Sequence, residues 1–213
     1  MMTIMSPENL PRRPARSAGD LILFGVTSAE LALMFLLIPT FTITDWVYIF
    51  LHVLVLGIAL TRPRPKARDD SLGSGVAVFV AYTYPYAQVA YLRWVPGHPA
   101  WPAGGTALVI LAAGLSLASF LTLGRRFGVR PALRSLATRG PYRLVRHPIY
   151  LAYVLGDIGY NLKEWNLGTV LLVLAGWASS IYRIHAEERI LSQDAGWRSY
   201  VASVQYRLIP GLW

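Results

Sequence analysis

Six apolar segments restrict this chain to a helical membrane architecture. A helix needs about 20 residues to cross the hydrocarbon core of a bilayer. The segments that approach this length are Leu21–Ile38, Trp46–Leu60, Gly75–Leu92, Thr106–Leu123, Ile149–Leu162 and Leu167–His185. Only 15% of the 213 residues are charged, against about 25% in soluble domains. We therefore predict an all-α, polytopic membrane protein with about six membrane-entering helices, of which the second and fifth are short.

The basic residues are distributed unevenly between the connections. All but two of the 20 Lys and Arg residues lie in the N-terminal tail, in the connections after the second and fourth apolar segments, or in the C-terminal segment, counted from Arg183 near the end of the sixth apolar segment. The exceptions are Arg93 and Lys163. Because positive side chains stay on the cytoplasmic side, we predict that both termini are cytoplasmic. An Arg-rich tail without an evident cleavable signal favours a bacterial inner membrane.

Composition also argues against several classes of partner. The net charge of +9 is compatible with nucleic-acid binding, but the membrane topology accounts for nearly all of the positive excess. The chain has no cysteine, which excludes disulfides and a thiol nucleophile. Its four histidines are scattered rather than set at metal-ligand spacing. We expect neither nucleic acid nor metal as a partner.

The chain divides into three regions by composition. Residues 1–19 form a polar tail, residues 20–123 an N-terminal transmembrane bundle, and residues 124–213 a region with more polar residues that carries the candidate chemistry. Carboxylates within the apolar segments are functional candidates. For Glu30 we favour a packing role, whereas for Asp157 both interpretations remain open. Pro85 predicts a kink in the third segment. The kink would serve helix packing or would open a lateral path for a lipid-like substrate.

Two polar segments stand out at the membrane boundary. One runs from Arg139 to Tyr150 (Arg-Gly-Pro-Tyr-Arg-Leu-Val-Arg-His-Pro-Ile-Tyr), and the other from Arg183 to Glu188 (Arg-Ile-His-Ala-Glu-Glu). Such a cluster is costly there unless it binds something polar. Arg183 and Glu187 are four residues apart and therefore share one helix face. An ordinary ion pair between them is the alternative to a binding role. Glu188 points about 100° away around the helix.

These motifs resemble one family. Gly140-Pro141-Tyr142, Arg146-His147-Pro148-Ile149-Tyr150, a hydrophobic hairpin, Arg183-x-x-x-Glu187-Glu188 and a closing Tyr-Arg-Leu-Ile-Pro are similar to the isoprenylcysteine carboxyl methyltransferases, including their bacterial members. The resemblance covers roughly residues 120–213. It implies an integral-membrane enzyme that binds S-adenosylmethionine at the cytoplasmic face.

The resemblance also implies roles for single residues. Arg183 would contact the substrate, and Glu187 would hold the cofactor. The implied cofactor-binding residues are Ser135, Leu136, Ala137, Tyr142, Arg146, His147, Pro148, Ile149, Tyr150, Glu187 and Glu188. The chain around Arg134 would line the cofactor as well.

The expected reaction is methyl transfer to a lipophilic acceptor, most simply the carboxylate of an isoprenoid or lipid-like acid oriented by Arg183. An amine acceptor, as in phospholipid N-methyltransferases, needs a base such as Glu188 or His185. The closing Tyr206-Arg207-Leu208-Ile209-Pro210 also resembles membrane sterol reductases, so an NADPH-dependent reductase is a second alternative. A non-catalytic membrane protein is the third.

Overall fold

The computed structural model describes residues 18–37, 41–61, 67–128 and 130–213. The described residues form seven α-helices: α1 (Ala18–Leu37), α2 (Ile43–Thr61), α3 (Leu72–Trp94), α4 (Pro102–Leu123), α5 (Pro148–Lys163), α6 (Leu167–Leu191) and α7 (Trp197–Ser203). Two short strands, β1 (Ala67–Arg68) and β2 (Ala132–Leu133), pair in antiparallel fashion. The predicted tail, apart from its last two residues, and residues 62–66 lie outside the described residues.

The prediction of a mainly helical protein is confirmed. Each of the predicted apolar segments falls within one of the helices α1–α6, except for Ile38, which lies outside the described part of the chain. Two stretches are long and apolar enough to cross a membrane by length and composition, Pro102–Arg126 and Leu167–Leu191. Shorter apolar stretches lie in α1 and α2. The Glu30 side chain is outside the described part of the chain.

Local sequence explains where several helices begin. The Ser71 hydroxyl accepts a hydrogen bond from the Ser74 amide at 3.2 Å and caps α3. At α6, the Asn166 side chain accepts from the Thr169 amide while the Thr169 hydroxyl accepts from the Asn166 amide, which is a reciprocal cap. Helices α4 and α5 start at Pro102 and Pro148. Proline suits this first position because its missing N–H would have no partner there.

Helix packing is closest between α4 and α5 and between α3 and α6. A Cβ atom on Gly159 would lie 2.8 Å from the Gly105 carbonyl oxygen, so the α4 and α5 backbones touch directly at these glycines. In the second pair, the Ser179 hydroxyl of α6 donates to the Ala77 carbonyl of α3 at 2.6 Å. Small residues at helix interfaces are typical of membrane proteins, where they allow such close approach.

Long-range contacts place alternate connections at opposite ends of the bundle. At one end, β1 pairs with β2, and the Arg125 Nε donates to the Thr61 carbonyl at 2.6 Å. At the other end, His98 and Trp165 exchange backbone hydrogen bonds of 2.7 and 3.0 Å. The first end carries the basic connections. The helices thus run up and down, and the polar region between α4 and α5 lies with the other basic residues.

Candidate functional site

The segment before α5 is shaped by glycine, proline and the C-terminal segment. Gly140 has a φ of 53° and opens a 3-10 turn that runs to Arg143. Only glycine adopts this left-handed conformation without steric cost. Farther along, the Arg146 and His147 amides donate to the carbonyls of Tyr206 and Arg207, both at 2.9 Å. The closing motif of the chain therefore supports the His-Pro start of α5.

Glu188 is the centre of a compact ion cluster. Its Oε1 accepts from Arg146 Nε at 2.8 Å and lies 3.3 Å from His147 Nε2. Its Oε2 accepts from Arg207 Nε at 2.9 Å. Arg146 also donates to the carbonyls of Val204 and Gln205. Both carboxylate oxygens are engaged, so this cluster ties α6 to the start of α5 and to the C-terminal segment.

Glu187 has different surroundings from Glu188, although the two residues are adjacent in the sequence. One of its oxygens accepts from the Tyr150 hydroxyl at 2.5 Å, and the other lies 3.7 Å from His147 Nδ1. Its side chain is 22% exposed, against 13% for Glu188. One helical turn earlier, the buried Arg183 guanidinium lies 5.4 Å from the Tyr150 ring centroid. Glu187 therefore presents negative charge where a ligand can reach it.

These side chains surround a cavity of about 100 Å³, here called the polar cavity. Most of the predicted site residues line it: Ser135, Leu136, Ala137, Tyr142, Arg146, His147, Ile149, Tyr150, Arg183 and Glu187. Pro148 and Glu188 are not among its lining residues. The lining also includes residues that the sequence did not single out, namely Arg126, Phe127, Arg130, Tyr153, Trp197 and Tyr200. The structure thus brings together two segments separated by about 33 residues.

Two phenols complete the wall on the side of α7. The Tyr200 hydroxyl donates to the Tyr142 carbonyl at 2.9 Å, which fixes α7 against the 3-10 turn. Burial raises the pKa of Tyr200 to about 12, although the nearby Arg146 opposes the shift. Burial, with a smaller contribution from the Glu187 charge, raises the pKa of Tyr142 well above its usual value. Both phenols therefore stay neutral at physiological pH, and the Tyr200 hydroxyl acts as a hydrogen-bond donor.

A second cavity of about 190 Å³ lies deeper between α1, α2, α3, α4 and α5, and is here called the apolar cavity. Most of its lining is aliphatic or aromatic, and Pro85 and Asp157 also contribute. Phe127, Tyr153 and Arg183 line both cavities. The Arg183 guanidinium therefore stands at the junction between a polar chamber and an apolar one.

Asp157 has a structural explanation in this arrangement. Its carboxylate accepts from the Tyr84 hydroxyl at 3.0 Å and from Trp177 Nε1 at 2.8 Å. These bonds connect α5 to α3 and α6. Within the described ranges, no group of three or more His, Asp or Glu residues has the arrangement of a metal site.

Comparison with known proteins agrees with this geometry. Residues 101–194, which contain most of the wall of the polar cavity, match the phospholipid methyltransferase family. The predicted family resemblance is confirmed. The Arabidopsis thaliana protein-S-isoprenylcysteine O-methyltransferases B and A are 29% identical to the chain over 107 and 98 residues. These matches cover 47% and 43% of this chain, and 54% and 50% of the relatives.

A bacterial relative matches a similar share of the chain. The cobalt-zinc-cadmium resistance protein CzcN of Cupriavidus metallidurans is 31% identical over 101 residues, or 45% of this chain and 47% of that protein. The chain thus spans about half the length of the curated relatives that it matches. The family match at residues 101–194 contains most of the lining of the polar cavity, whereas α1, α2 and α3, which line much of the apolar cavity, precede it.

Proposed function

We propose that this protein is an integral-membrane methyltransferase that uses S-adenosylmethionine and methylates the carboxylate of an isoprenoid or other lipid-like acid. One observation carries the proposal: Arg183 lines both the polar and the apolar cavity. A lipophilic acid bound with its tail in the apolar cavity would bring its carboxylate to this guanidinium. The reacting oxygen would then face the polar cavity, in which the methyl donor is expected.

The donor set of the polar cavity fits S-adenosylmethionine. The cofactor supplies a methyl group on a positively charged sulfur, and it also carries an ammonium, a carboxylate and an adenine ring. Glu187 offers a carboxylate for the ammonium. Arg126, Arg130 and Arg146 offer cations for the carboxylate, and the rings of Tyr142 and Tyr150 offer faces for the adenine or the sulfonium. His147 adds a further hydrogen-bonding group.

Charge favours a carboxylate over an amine as the acceptor. The buried Arg183 would attract an anion and repel an ammonium at the junction of the cavities. The bases that the sequence offers for an amine acceptor lie elsewhere. Glu188 is held by Arg146 and Arg207, and the exposed His185 lies 6.1 Å from the Trp213 ring and lines neither cavity. Since a carboxylate needs no deprotonation, its main requirement is alignment.

We further propose that α1–α6 all enter the membrane, with both termini and the polar cavity on the cytoplasmic side of a bacterial inner membrane. Large apolar side chains such as Phe35, Phe50, Phe79 and Leu121 are more than half exposed on the outside of the bundle. Lipid chains would cover them. In this proposal, residues 20–123 form the transmembrane bundle and residues 124–213 carry most of the cofactor site.

Calorimetric titration of the detergent-purified protein tests the cofactor. We expect binding of S-adenosylmethionine and S-adenosylhomocysteine but not of NADPH. Binding of NADPH alone would replace the proposal with the reductase, and binding of none of the three would favour a non-catalytic protein.

Label transfer from methyl-labelled S-adenosylmethionine tests the acceptor. With a panel of prenylated thiol acids and fatty acids, we expect a product that releases labelled methanol on treatment with hydroxide, as methyl esters do. Label that resists hydroxide would indicate N-methylation, as in the phospholipid N-methyltransferases, and would contradict the assignment of Arg183.

A further inference from the structure

Two buried polar side chains in the apolar cavity each have one atom without a hydrogen-bonding partner within the described ranges. Gln88 on α3 is 4% exposed and Thr27 on α1 is 1% exposed, and both line the apolar cavity. The Gln88 Nε2 and the Thr27 Oγ1 have no hydrogen-bonding partner among the residues that the structure describes. Buried polar atoms are normally paired, because an unpaired one costs free energy. A ligand that enters the cavity from outside the protein would supply the missing partner.

Several other polar side chains of the same cavity form hydrogen bonds within the protein. Tyr84 donates to Asp157 at 3.0 Å, and His52 Nδ1 lies 2.8 Å from the Tyr48 carbonyl oxygen. His52 Nε2 is 2.5 Å from the Tyr86 hydroxyl. Gln88 lies one helical turn beyond Tyr84, so the two side chains share the face of α3 that lines the cavity. The contrast distinguishes the groups that hold the helices together from two that remain available to a ligand.

We propose that the ligand of the apolar cavity is a lipid acid whose chain carries an oxygen function, such as a carbonyl, ester or hydroxyl, that Gln88 donates a hydrogen bond to this oxygen, and that Thr27 is a second polar group available to it in the same cavity. The inference rests on the proposed function, in which the acid group of the same ligand lies at Arg183. The Gln88 Nε2 can only donate, and the Thr27 hydroxyl can donate or accept. Both suit an oxygen acceptor. A pure hydrocarbon tail would leave the two groups desolvated and unpaired.

The helix geometry gives the position of this oxygen along the ligand. Tyr91, three residues after Gln88, packs against Gly168 of α6, and Arg183 lies 15 residues after Gly168. Because α3 and α6 are antiparallel, Gln88 lies about 18 Å from the Arg183 backbone along the bundle axis at about 1.5 Å per residue. The oxygen should therefore lie far from the carboxylate rather than beside it.

A matched set of fatty acids tests the inference. We would measure binding of octadecanoic acid and of oxo-octadecanoic acids with the carbonyl close to the carboxylate or in the far half of the chain, by displacement of tritiated octadecanoic acid from the full-length protein in nanodiscs. The wild-type protein should bind the far-oxo acid about 5- to 10-fold more tightly than the unsubstituted acid, the gain expected for one hydrogen bond that satisfies a buried donor. The near-oxo acid should show no such gain.

Three substitutions attribute this preference to its residues. Gln88→Leu should reduce the ratio of the two affinities to about 1, since the donor is gone, and Thr27→Val should reduce it partly. Ser74→Ala is the control: Ser74 Oγ is also buried and makes no hydrogen bond to the described residues, but Ser74 lines neither cavity. This variant should keep the wild-type ratio.

The outcomes separate this inference from the proposed function. Equal affinity of the wild-type protein for all of the acids would overturn the inference, and so would a preference that survives in Gln88→Leu. If that variant does not fold, as judged by loss of S-adenosylmethionine binding, Gln88→Met removes the donor with an unbranched side chain of similar length. If no acid is methylated but the preference behaves as expected, the proposed activity fails and the binding subsite stands.

Discussion

Glu187 and Glu188 are adjacent, but the structure predicts opposite consequences for their replacement. Glu187→Gln removes the charge that would pair with the cofactor ammonium, so we expect the affinity for S-adenosylmethionine to fall by about 10- to 100-fold, or about 1.4–2.7 kcal/mol. The melting temperature should change little, because the Glu187 side chain is 22% exposed and its ion pair with His147 is long, at 3.7 Å. Calorimetry and thermal unfolding of the same preparation measure both quantities.

Glu188→Gln should act mainly on stability. It leaves the Arg146 guanidinium, whose side chain is 7% exposed, without its anionic partner. Breaking a buried ion pair by removing one member costs about 3–5 kcal/mol, so a marked fall in melting temperature is expected. Protein that remains folded should retain more cofactor affinity than Glu187→Gln does. Small and equal effects of the two substitutions would contradict the division of roles.

Arg183→Lys tests how the acceptor is oriented. Lysine keeps the positive charge but loses the planar, two-point grip on a carboxylate. We expect turnover to fall by about 10- to 100-fold, the effect of losing about 1.4–2.7 kcal/mol of transition-state stabilisation. The affinity for S-adenosylmethionine should stay within about threefold of the wild type.

Arg189→Lys is the matched control, since Arg189 is exposed on the same helix and lines neither cavity. Loss of cofactor affinity in Arg183→Lys at unchanged turnover would place Arg183 in the cofactor site rather than at the acceptor.

At the scale of single residues, the sequence predicted most of the polar cavity because its two motifs contain residues with evident chemistry. The contributions of Arg126, Trp197 and Tyr200 were missed. They depend on how the connection after α4 and helix α7 fold back over the cavity, and no local pattern encodes that contact. Helix α7 has an amphipathic pattern, but such a pattern does not distinguish a membrane surface from a cavity wall as its neighbour.

At the scale of helices, the contact between α4 and α5 depends on glycine. Gly159→Ala would place a methyl group 2.8 Å from the Gly105 carbonyl oxygen and from Val109 Cγ2. Backbone contacts of this kind cannot relax without moving a helix, so we expect a loss of about 1–3 kcal/mol of stability. Thermal unfolding in detergent measures the stability of this variant relative to the wild-type protein.

Gly114→Ala on α4 is the matched control, because a Cβ there would meet nothing within 4 Å. It should be neutral or slightly stabilising, since alanine favours helix over glycine by about 0.5–1 kcal/mol. Equal stability of the two variants would contradict the close approach of α4 and α5 at Gly159.

Helices were predictable in this chain, whereas the contacts between connections were not. Long apolar segments bounded by proline and glycine locate α1–α6 within a few residues. The pairing of β1 with β2 is different. Each strand has two residues, too few for the alternation of apolar and polar side chains that reveals a strand. The partners are also about 65 residues apart, so only the packed helices bring them together.

At the scale of the whole molecule, the distribution of charge and the structure group the same connections together, and this grouping supports the proposed topology. Arg and Lys are concentrated in alternate connections of the chain, and long-range contacts bring those connections together. The basic connections after α2 and α4 contact each other through β1, β2 and Arg125. Arg93 and Lys163 lie in the last turns of α3 and α5, near the His98–Trp165 contact at the opposite end. A single bilayer orientation satisfies both sets of observations.

The natural absence of cysteine makes this orientation directly testable. Single cysteines at Lys66 and Ala195 should react with a membrane-impermeant maleimide only in inverted vesicles or lysed cells. Cysteines at Thr42 and His98 should react in intact cells, because these positions belong to connections with few basic residues. Labelling of Ala195→Cys from outside would place the C-terminal segment on the outer side of the membrane. The polar cavity, which Tyr206 and Arg207 support, would then lie where cytoplasmic S-adenosylmethionine cannot reach it. That result would overturn the topology and the proposed cofactor together. The predicted labelling pattern, by contrast, leaves the polar cavity open to the cytoplasm and the apolar cavity within the depth of the bilayer.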